Sequence, residues 1–336
     1  MTNPDEIAII VVTYKRQELL EILLDSITKM NIKPGRVYIV DNENSDATKK
    51  IVDRFQKNQP RLKSKTSTET LNFKYIANEK NTGGAGGFYT GTRAAYEDGY
   101  KWFWLIDDDV KVLPLALDIL LPRMENHSMI QGQRMDYDMS TFYWQYRFSE
   151  KLGIPNPLSS PSLAPGEARP MNTACFEGTI FNRKIVDKIG FPDPRFFIYW
   201  DDTIYGYLAT HYTQPVYVEG LILQRTREVK NLDLGIRHLR STSDIVRYHM
   251  MKNRGYMANY YKLFGDYNHI LFSFGTFLTF VKEAIRIFTV DKTPSTSFAA
   301  LIEGYMRSKE IMKSDWKPSI WYKNNAEEYD DLDQMT

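Results

Sequence analysis

Residues 101–110 read Lys-Trp-Phe-Trp-Leu-Ile-Asp-Asp-Asp-Val. Five apolar or aromatic residues, Trp102 to Ile106, run straight into three carboxylates, Asp107, Asp108 and Asp109. A short apolar run of this length reads as a fully buried strand. Unpaired charge is too costly to carry through a core, so the carboxylates belong just past the strand's C-terminal end. In open α/β sheets that edge is where ligands bind. Alternate residues of an extended chain point the same way, so Asp107 and Asp109 can face one ligand together. Two hard oxygen donors at that spacing suit Mg²⁺ or Mn²⁺ held jointly with substrate phosphates. An acidic turn or a helix N-terminus would also favour Asp, so the triplet alone does not decide between these readings.

The chain on the N-terminal side supplies the context. Ile7 to Val12 is wholly apolar and rich in β-branched residues, as in a parallel strand buried on both faces. Leu19, Leu20, Leu23, Leu24 and Ile27 make one stripe of a helix over Gln17–Met30. Val37 to Val40 is a second strand ending at Asp41, and Asp46 is a candidate N-cap for a helix over Ala47–Gln56. This βαβα order starts a doubly wound, mostly parallel sheet of the Rossmann-like kind. Asp41 also lies past a strand end, where it either hydrogen-bonds a nucleotide or makes an Asx-turn. Phe73 to Ala77 is a third strand. Asn81-Thr82-Gly83-Gly84-Ala85-Gly86-Gly87-Phe88 follows, with four glycines in five residues. Such a loop lets backbone approach a ligand closely. A helix from about Phe88 to Asp98 would offer its N-terminus to a diphosphate. The loop matches neither a Walker loop nor Gly-x-Gly-x-x-Gly.

Bulk properties narrow the classes. The chain has 336 residues and a net charge of +1, so no global field favours nucleic acid. The single cysteine, Cys175, excludes an internal disulfide and a cysteine-based zinc cluster. The first residues lack a secretory layout, and no uncharged apolar run is long enough to span a bilayer. These features predict a cytoplasmic location, with peripheral contact at the inner face of the cell membrane as an extension.

Taken in order, Val-Val-Thr-Tyr-Lys-Arg (11–16), Val-Asp-Asn-Glu-Asn-Ser-Asp (40–46), the 81–88 segment and Leu-Ile-Asp-Asp-Asp (105–109) resemble family 2 inverting glycosyltransferases. These have the GT-A fold and use nucleotide-diphosphate sugars. The Gly-Gly-Ala-Gly-Gly-Phe version is most similar to the galactofuranosyltransferase and rhamnosyltransferase branch. The resemblance covers about residues 5 to 260. It implies a metal-dependent hexosyltransferase in which Asp107 and Asp109 hold Mg²⁺ or Mn²⁺. Thr13, Tyr14, Arg16, Asp41, Asn81, Gly83, Gly84, Gly87, Phe88, Asp107 and Asp108 would bind the nucleotide sugar. A second aromatic-to-acid transition, Phe196 to Asp202, is similar to the family's Trp-Asp-Asp segment. It implies Asp202 as general base, with Trp200, Asp201 and Glu177 on the acceptor side. The alternative is an N-cap pair for the helix Thr203–His211. His249-x-x-x-Asn253-Arg254 resembles a segment near the donor phosphates, which would place Arg254 there; a solvated helix face is the other reading. The donor implied is UDP-galactofuranose, with dTDP-rhamnose second, and the acceptor is a glycan of the cell surface, lipid-linked.

One departure stands out. Many relatives carry a metal-binding His about two dozen residues after the base, where this chain has Gln224, Arg225 and Thr226. Either His238 swings in as a ligand, or Arg225 supplies charge to the diphosphate. Residues 133–170 are aromatic and proline-rich, suited to a lid or acceptor loop, or to a hairpin with a surface loop. The organisation expected is a catalytic domain over 1–262, split near 112 into a nucleotide-sugar half and an acceptor half, and a helical extension over 263–336. In that extension Ile270, Phe274, Phe277, Leu278, Val281, Ala284, Ile285 and Phe288 form one stripe. Packing against the catalytic domain is the favoured reading, with a membrane interface the alternative. The acidic tail Glu327 to Asp333 is expected to be mobile. Two other classes compete with a transferase. A sugar-nucleotide nucleotidyltransferase would need a basic Gly-rich loop near the first strand, and Tyr14-Lys15-Arg16 has no glycine. A non-catalytic glycan-binding relative would tolerate loss of Asp202, which is present.

Overall fold

The structure, a computed structural model, describes residues 2–58, 71–140, 142, 146–156, 162–228, 231–233, 238–291 and 293–318, the side chains of 231–233 and 238–240 excepted. The chain begins β1 (Ile7–Thr13), α1 (Gln17–Thr28), β2 (Arg36–Asp41), α2 (Asp46–Lys57), β3 (Phe73–Ala77), α3 (Gly83–Glu97) and β4 (Trp102–Asp107). β3, β2, β1 and β4 lie side by side and all parallel. Every residue of β1 is buried. Its alternate side chains feed two cores. Ala8, Ile10 and Val12 meet Phe88, Phe103 and Leu105 on one face, and Ile7, Ile9 and Val11 meet Leu20, Leu24 and Trp104 on the other. Register on β1 sets Thr13 beside Asp41 and Val12 beside Asp107. The C-terminal ends of three strands therefore form one polar edge.

Two local expectations are corrected. Ser45, not Asp46, caps α2, its Oγ accepting from the N–H groups of Ala47 and Thr48. The glycines do not form a loop ahead of α3; they are its first turns. The helix needs them because it lies against β1, where a Cβ on Gly87 would stand 2.4 Å from Val12 Cγ1.

Past β4 the sheet becomes mixed. β5 (Val110–Val112), α4 (Ala116–Met124), β6 (Met129–Met135), a small hairpin of β7 (Phe148–Ser149) and β8 (Ile154–Pro155), and β9 (Ala168–Pro170) precede β10 (Thr179–Asn182). β10 inserts antiparallel between β4 and β6. Then come α5 (Arg183–Ile189), α6 (Asp201–Thr210) and β11 (Val216–Arg225), which runs parallel to β6 and antiparallel to β5 and β9. The described part of residues 133–170 thus contains the hairpin reading, with one strand joining the main sheet.

The last elements are β12 (Asn231–Asp233), β13 (His238–Arg240), α7 (Asp244–Lys252), α8 (Arg254–Phe264), α9 (His269–Arg286), a π-turn over Ile287–Asp291, and α10 (Pro294–Lys313). α9 does pack on the preceding elements, but not through the face expected. Its apolar stripe faces outward, with Ile270 78%, Phe277 59% and Phe288 62% exposed. The buried side carries Thr276, Thr279, Glu283 and Arg286 instead. Arg254 binds the two threonine hydroxyls, and Glu283 and Asp291 pair with Arg247 and Arg286. Buried ionic partners fix which way the helix faces, because leaving either charge unpaired in the core is strongly unfavourable. None of the described helices is long and apolar enough to cross a membrane. The acidic tail lies outside the described residues.

Candidate active site

Two acidic clusters occupy the polar edge. The first follows β4. Asp108 points inward, 2% exposed, and accepts from Thr13 Oγ1 at 2.8 Å and Arg16 Nη1 at 2.8 Å. Asp109 is only half-buried and lies 3.4 Å from Arg16 and 3.8 Å from Arg227. Asp107 accepts no hydrogen bond from the described residues. Burial, then the charges of Asp109, Glu177 and Asp108, push it well above the usual carboxylate range. A dication beside Asp107 and Asp109 would relieve that repulsion, so this donor set fits Mg²⁺ or Mn²⁺. Among the described residues no group of three or more His, Cys, Asp or Glu converges on a metal site. Such an ion would therefore take most of its ligands from diphosphate and water. The side chain of His238 lies outside the described residues.

The second cluster opens α6. Its approach is unusual: Phe197, Tyr199 and Trp200 all have positive φ, at 63°, 76° and 74°. Phe197 centres a γ-turn, with φ 63° and ψ −59° and Ile198 N donating to Phe196 O at 2.7 Å. Each such residue costs about 1–3 kcal/mol and persists only where its surroundings over-determine it. The turn ends in Asp201 and Asp202. Asp202 Oδ1 accepts from Thr203 N at 2.6 Å and Oγ1 at 3.2 Å, so it partly caps its own helix. Burial pushes Asp202 up to about 6, opposed by the Thr203 hydrogen bonds, Arg134 and the Cys175 thiol. Asp201 is held well above the usual carboxylate range, by burial and by Asp202.

A buried network joins the clusters. Glu177 is held in a fork by Arg225, Nε to Oε1 at 2.9 Å and Nη2 to Oε2 at 2.8 Å, and meets Arg134 at 3.1 Å. Arg134 Nη1 contacts Cys175 Sγ at 3.3 Å, and the guanidinium groups of Arg134 and Arg225 both lie over the Phe142 ring. Burial pushes the Cys175 thiol up to about 12, so it remains protonated beside Asp202.

On the donor side Asn42 ties β2 to α3. Its Nδ2 donates to Gly83 O at 2.9 Å, and its Oδ1 accepts from Asn78 and Thr82. Gly83 has φ +71°, and a Cβ there would stand 2.1 Å from Phe197 O. Ala85 N donates to that same carbonyl at 3.0 Å. The first turn of α3 and the strained turn before Asp201 are thus in direct contact.

Of the residues expected to bind ligands, Tyr14, Arg16, Asn81, Gly84, Asp107, Asp109, Asp201 and Asp202 retain exposed surface along this edge. Others do not. Asp41 is fully buried, making the Asx-turn: it accepts from Glu43 N, Ser45 N and Tyr75 OH. Thr13 and Asp108 are occupied with each other. Phe88 is core, edge-on to Phe176 at 5.1 Å, and Gly87 serves packing on Val12. Trp200 is 5% exposed, its indole donating to Met250 O, so its ring is no sugar platform. Glu177 has both oxygens on Arg225, which likewise keeps Arg225 from facing a diphosphate freely. Arg254 is enclosed by the carbonyls of Leu152, Gly153 and Phe272, and burial pushes it down to about 10. Its motif supports the fold behind Asp202, away from the exposed edge. Asn42, Arg134, Cys175 and Asn253 were missed as organisers, although the quoted motifs contained both asparagines.

The glycosyl transferase family 2 model matches residues 8–190, the segment that builds this edge. The chain belongs to glycosyl transferase family 2. Over 213 residues it is 29% identical to galactofuranosyltransferase GlfT1 of Mycolicibacterium smegmatis, covering 60% of this chain and 64% of that one. It is 27% identical over 205 residues to galactofuranosyltransferase GlfT1 of Mycobacterium tuberculosis H37Rv, covering 57% and 60%. The match therefore spans less than two thirds of either relative's length. The structure is similar in fold to S. aureus TarS 1-349, with TM-score 0.54, 13% identity, and 95% of this chain and 87% of that chain covered. It is also similar to TarS 1-349 solved with UDP-GlcNAc, with TM-score 0.52, 15% identity and the same coverage. This fold likeness identifies the GT-A architecture. Membership of the family sets aside the nucleotidyltransferase reading.

Proposed function

We propose that the protein moves galactofuranose from UDP-galactofuranose, with inversion, onto a lipid-linked cell-surface glycan. The observation that carries the chemistry is the pair of carboxylate clusters at one sheet edge, joined through Glu177, Arg134 and Cys175. The donor assignment is supported by the names of the two relatives. Asp202 takes the proton from the acceptor hydroxyl as that oxygen attacks the anomeric carbon. With its carboxyl near 6 it is ionised at neutral pH while still basic enough to hold that proton. Tyr14, Arg16, Asn81 and Gly84 line the donor side, where the N-terminus of α3 favours phosphate. Asp107 and Asp109 would hold Mg²⁺ or Mn²⁺, which when bound offsets charge developing on the leaving diphosphate.

The acceptor would meet the site at a lipid surface. Ile270, Leu271, Phe274, Phe277, Leu278, Val281, Ile285 and Phe288 form an unbroken exposed ridge about five turns long. α9 exposes no carboxylate, since its one acid, Glu283, is buried, while Lys282 flanks the ridge. An apolar ridge that exposes no carboxylate suits acyl chains under anionic headgroups. The test of the function is transfer from a panel including UDP-galactofuranose and dTDP-rhamnose to glycan acceptors, with the anomeric configuration of the product read by NMR. Inverted galactofuranosyl product is expected. Retention, or no transfer from any nucleotide sugar, would overturn the reading.

A further inference from the structure

The strained turn carrying Asp201 and Asp202 is held from behind by the end of α7. Asn253 Nδ2 lies within hydrogen-bond reach of three carbonyls, Phe196 O at 2.9 Å, Ile198 O at 2.9 Å and Tyr199 O at 2.8 Å. Its own Oδ1 is buried and accepts nothing among the described residues. The His249 ring stacks on Phe197, centroids 4.7 Å apart and planes within 17°. Trp200 Nε1 donates to Met250 O at 3.1 Å, and Lys252 Nζ to Arg195 O at 3.3 Å. Residues 249–253 thus touch six successive residues, Arg195 to Trp200, all just ahead of the carboxylates.

We propose that Asn253 is a positioning residue that locks the Phe196–Trp200 turn, and through the Phe197 carbonyl the first turn of α3, into one unit. Without its amide, three converging carbonyls and three positive-φ aromatics have no reason to keep this path. When the path relaxes, Asp202 shifts on the acceptor side, and Ala85 loses the carbonyl that anchors the donor side. The link to catalysis rests on the reading of Asp202 as base. The link between the two segments does not.

The test uses the full chain and the Asn253→Ala variant, with hydrogen exchange read at the Ile198 and Ala85 amides and transfer read in parallel. Exchange at both amides should quicken at least tenfold, and transfer should fall at least tenfold with donor KM raised. Tyr199→Gly, which removes the penalty of positive φ, should shrink the transfer loss caused by Asn253→Ala in a double-mutant cycle. Should Asn253→Ala not fold, His249→Ala should quicken exchange at the same two amides. Unchanged exchange, or faster exchange at Ile198 with Ala85 unmoved, would overturn the coupling. If wild-type protein transfers no sugar, the proposed function falls, and the exchange result still decides the coupling.

Discussion

The two acidic clusters look alike in sequence, each an aromatic run ending in Asp, yet they are built by opposite means. Asp107 to Asp109 sit at the end of a regular strand whose register with β1 sets their position. Asp201 and Asp202 follow a backbone path that three non-glycine residues adopt at positive φ, held by groups some fifty positions further along the chain. A carboxylate placed by strand register relies on backbone pairing that an apolar run supplies with many side chains. One placed by strain needs particular side chains on a neighbouring element, and gains in return a position that this element dictates closely.

The sharpest way to break this comparison is Asp202→Asn, which keeps size and capping ability but cannot accept a proton. Transfer should fall by ~10²–10⁴, with donor affinity changed less than severalfold by calorimetry. If donor binding is lost instead, the second cluster is merely an extension of the first. Asp109→Ala should mainly weaken metal-dependent nucleotide binding, about 10–100-fold, with the fold intact because Asp109 is half-buried and off the core. Turnover unchanged with and without chelator would remove the ion from the first cluster.

A milder perturbation is pH. Asp202 must be ionised to act, so transfer should be full above about 6 and fall about tenfold per unit below it. A profile flat down to pH 4.5 would move the base elsewhere, with Asp201 next. Gly83→Ala probes the contact between the clusters. Its Cβ meets the Phe197 carbonyl at 2.1 Å, so stability should drop by about 1–3 kcal/mol in urea unfolding. The smallest effect is expected at the ridge on α9. Phe277→Ser should alter stability by no more than ~0.5 kcal/mol, yet lower flotation with anionic vesicles. Flotation equal to wild type would point the ridge at a protein partner.

The parallel half of the fold was legible because β1 to β4 are short apolar runs that end in turn chemistry, and burial on both faces leaves few alternatives. The start of α3 was not, because glycine reads as a helix breaker unless one knows that β1 lies within a methyl group of it. In α9 the periodicity revealed a stripe but not its direction. That depended on Arg247 and Arg254, whose buried charges require Glu283 and the threonines to face in. Asp107, Asp109, Asp201 and Asp202 were legible as carboxylates past apolar runs. Asp41, Thr13, Phe88 and Arg254 belong to the right segments but face the wrong way, since a motif fixes neighbourhood and not side-chain direction.

The thiol beside Asp202 has a practical use. Cys175 is the chain's sole cysteine, and with its ionisation pushed up to about 12 it should react with maleimides more slowly than a free thiol. Since burial is what raises it and Arg134 opposes the rise, any event that brings water to the thiol would restore ordinary reactivity. The rate at which label appears in unmodified protein would then clock how often the centre of the molecule breathes, with no engineered probe.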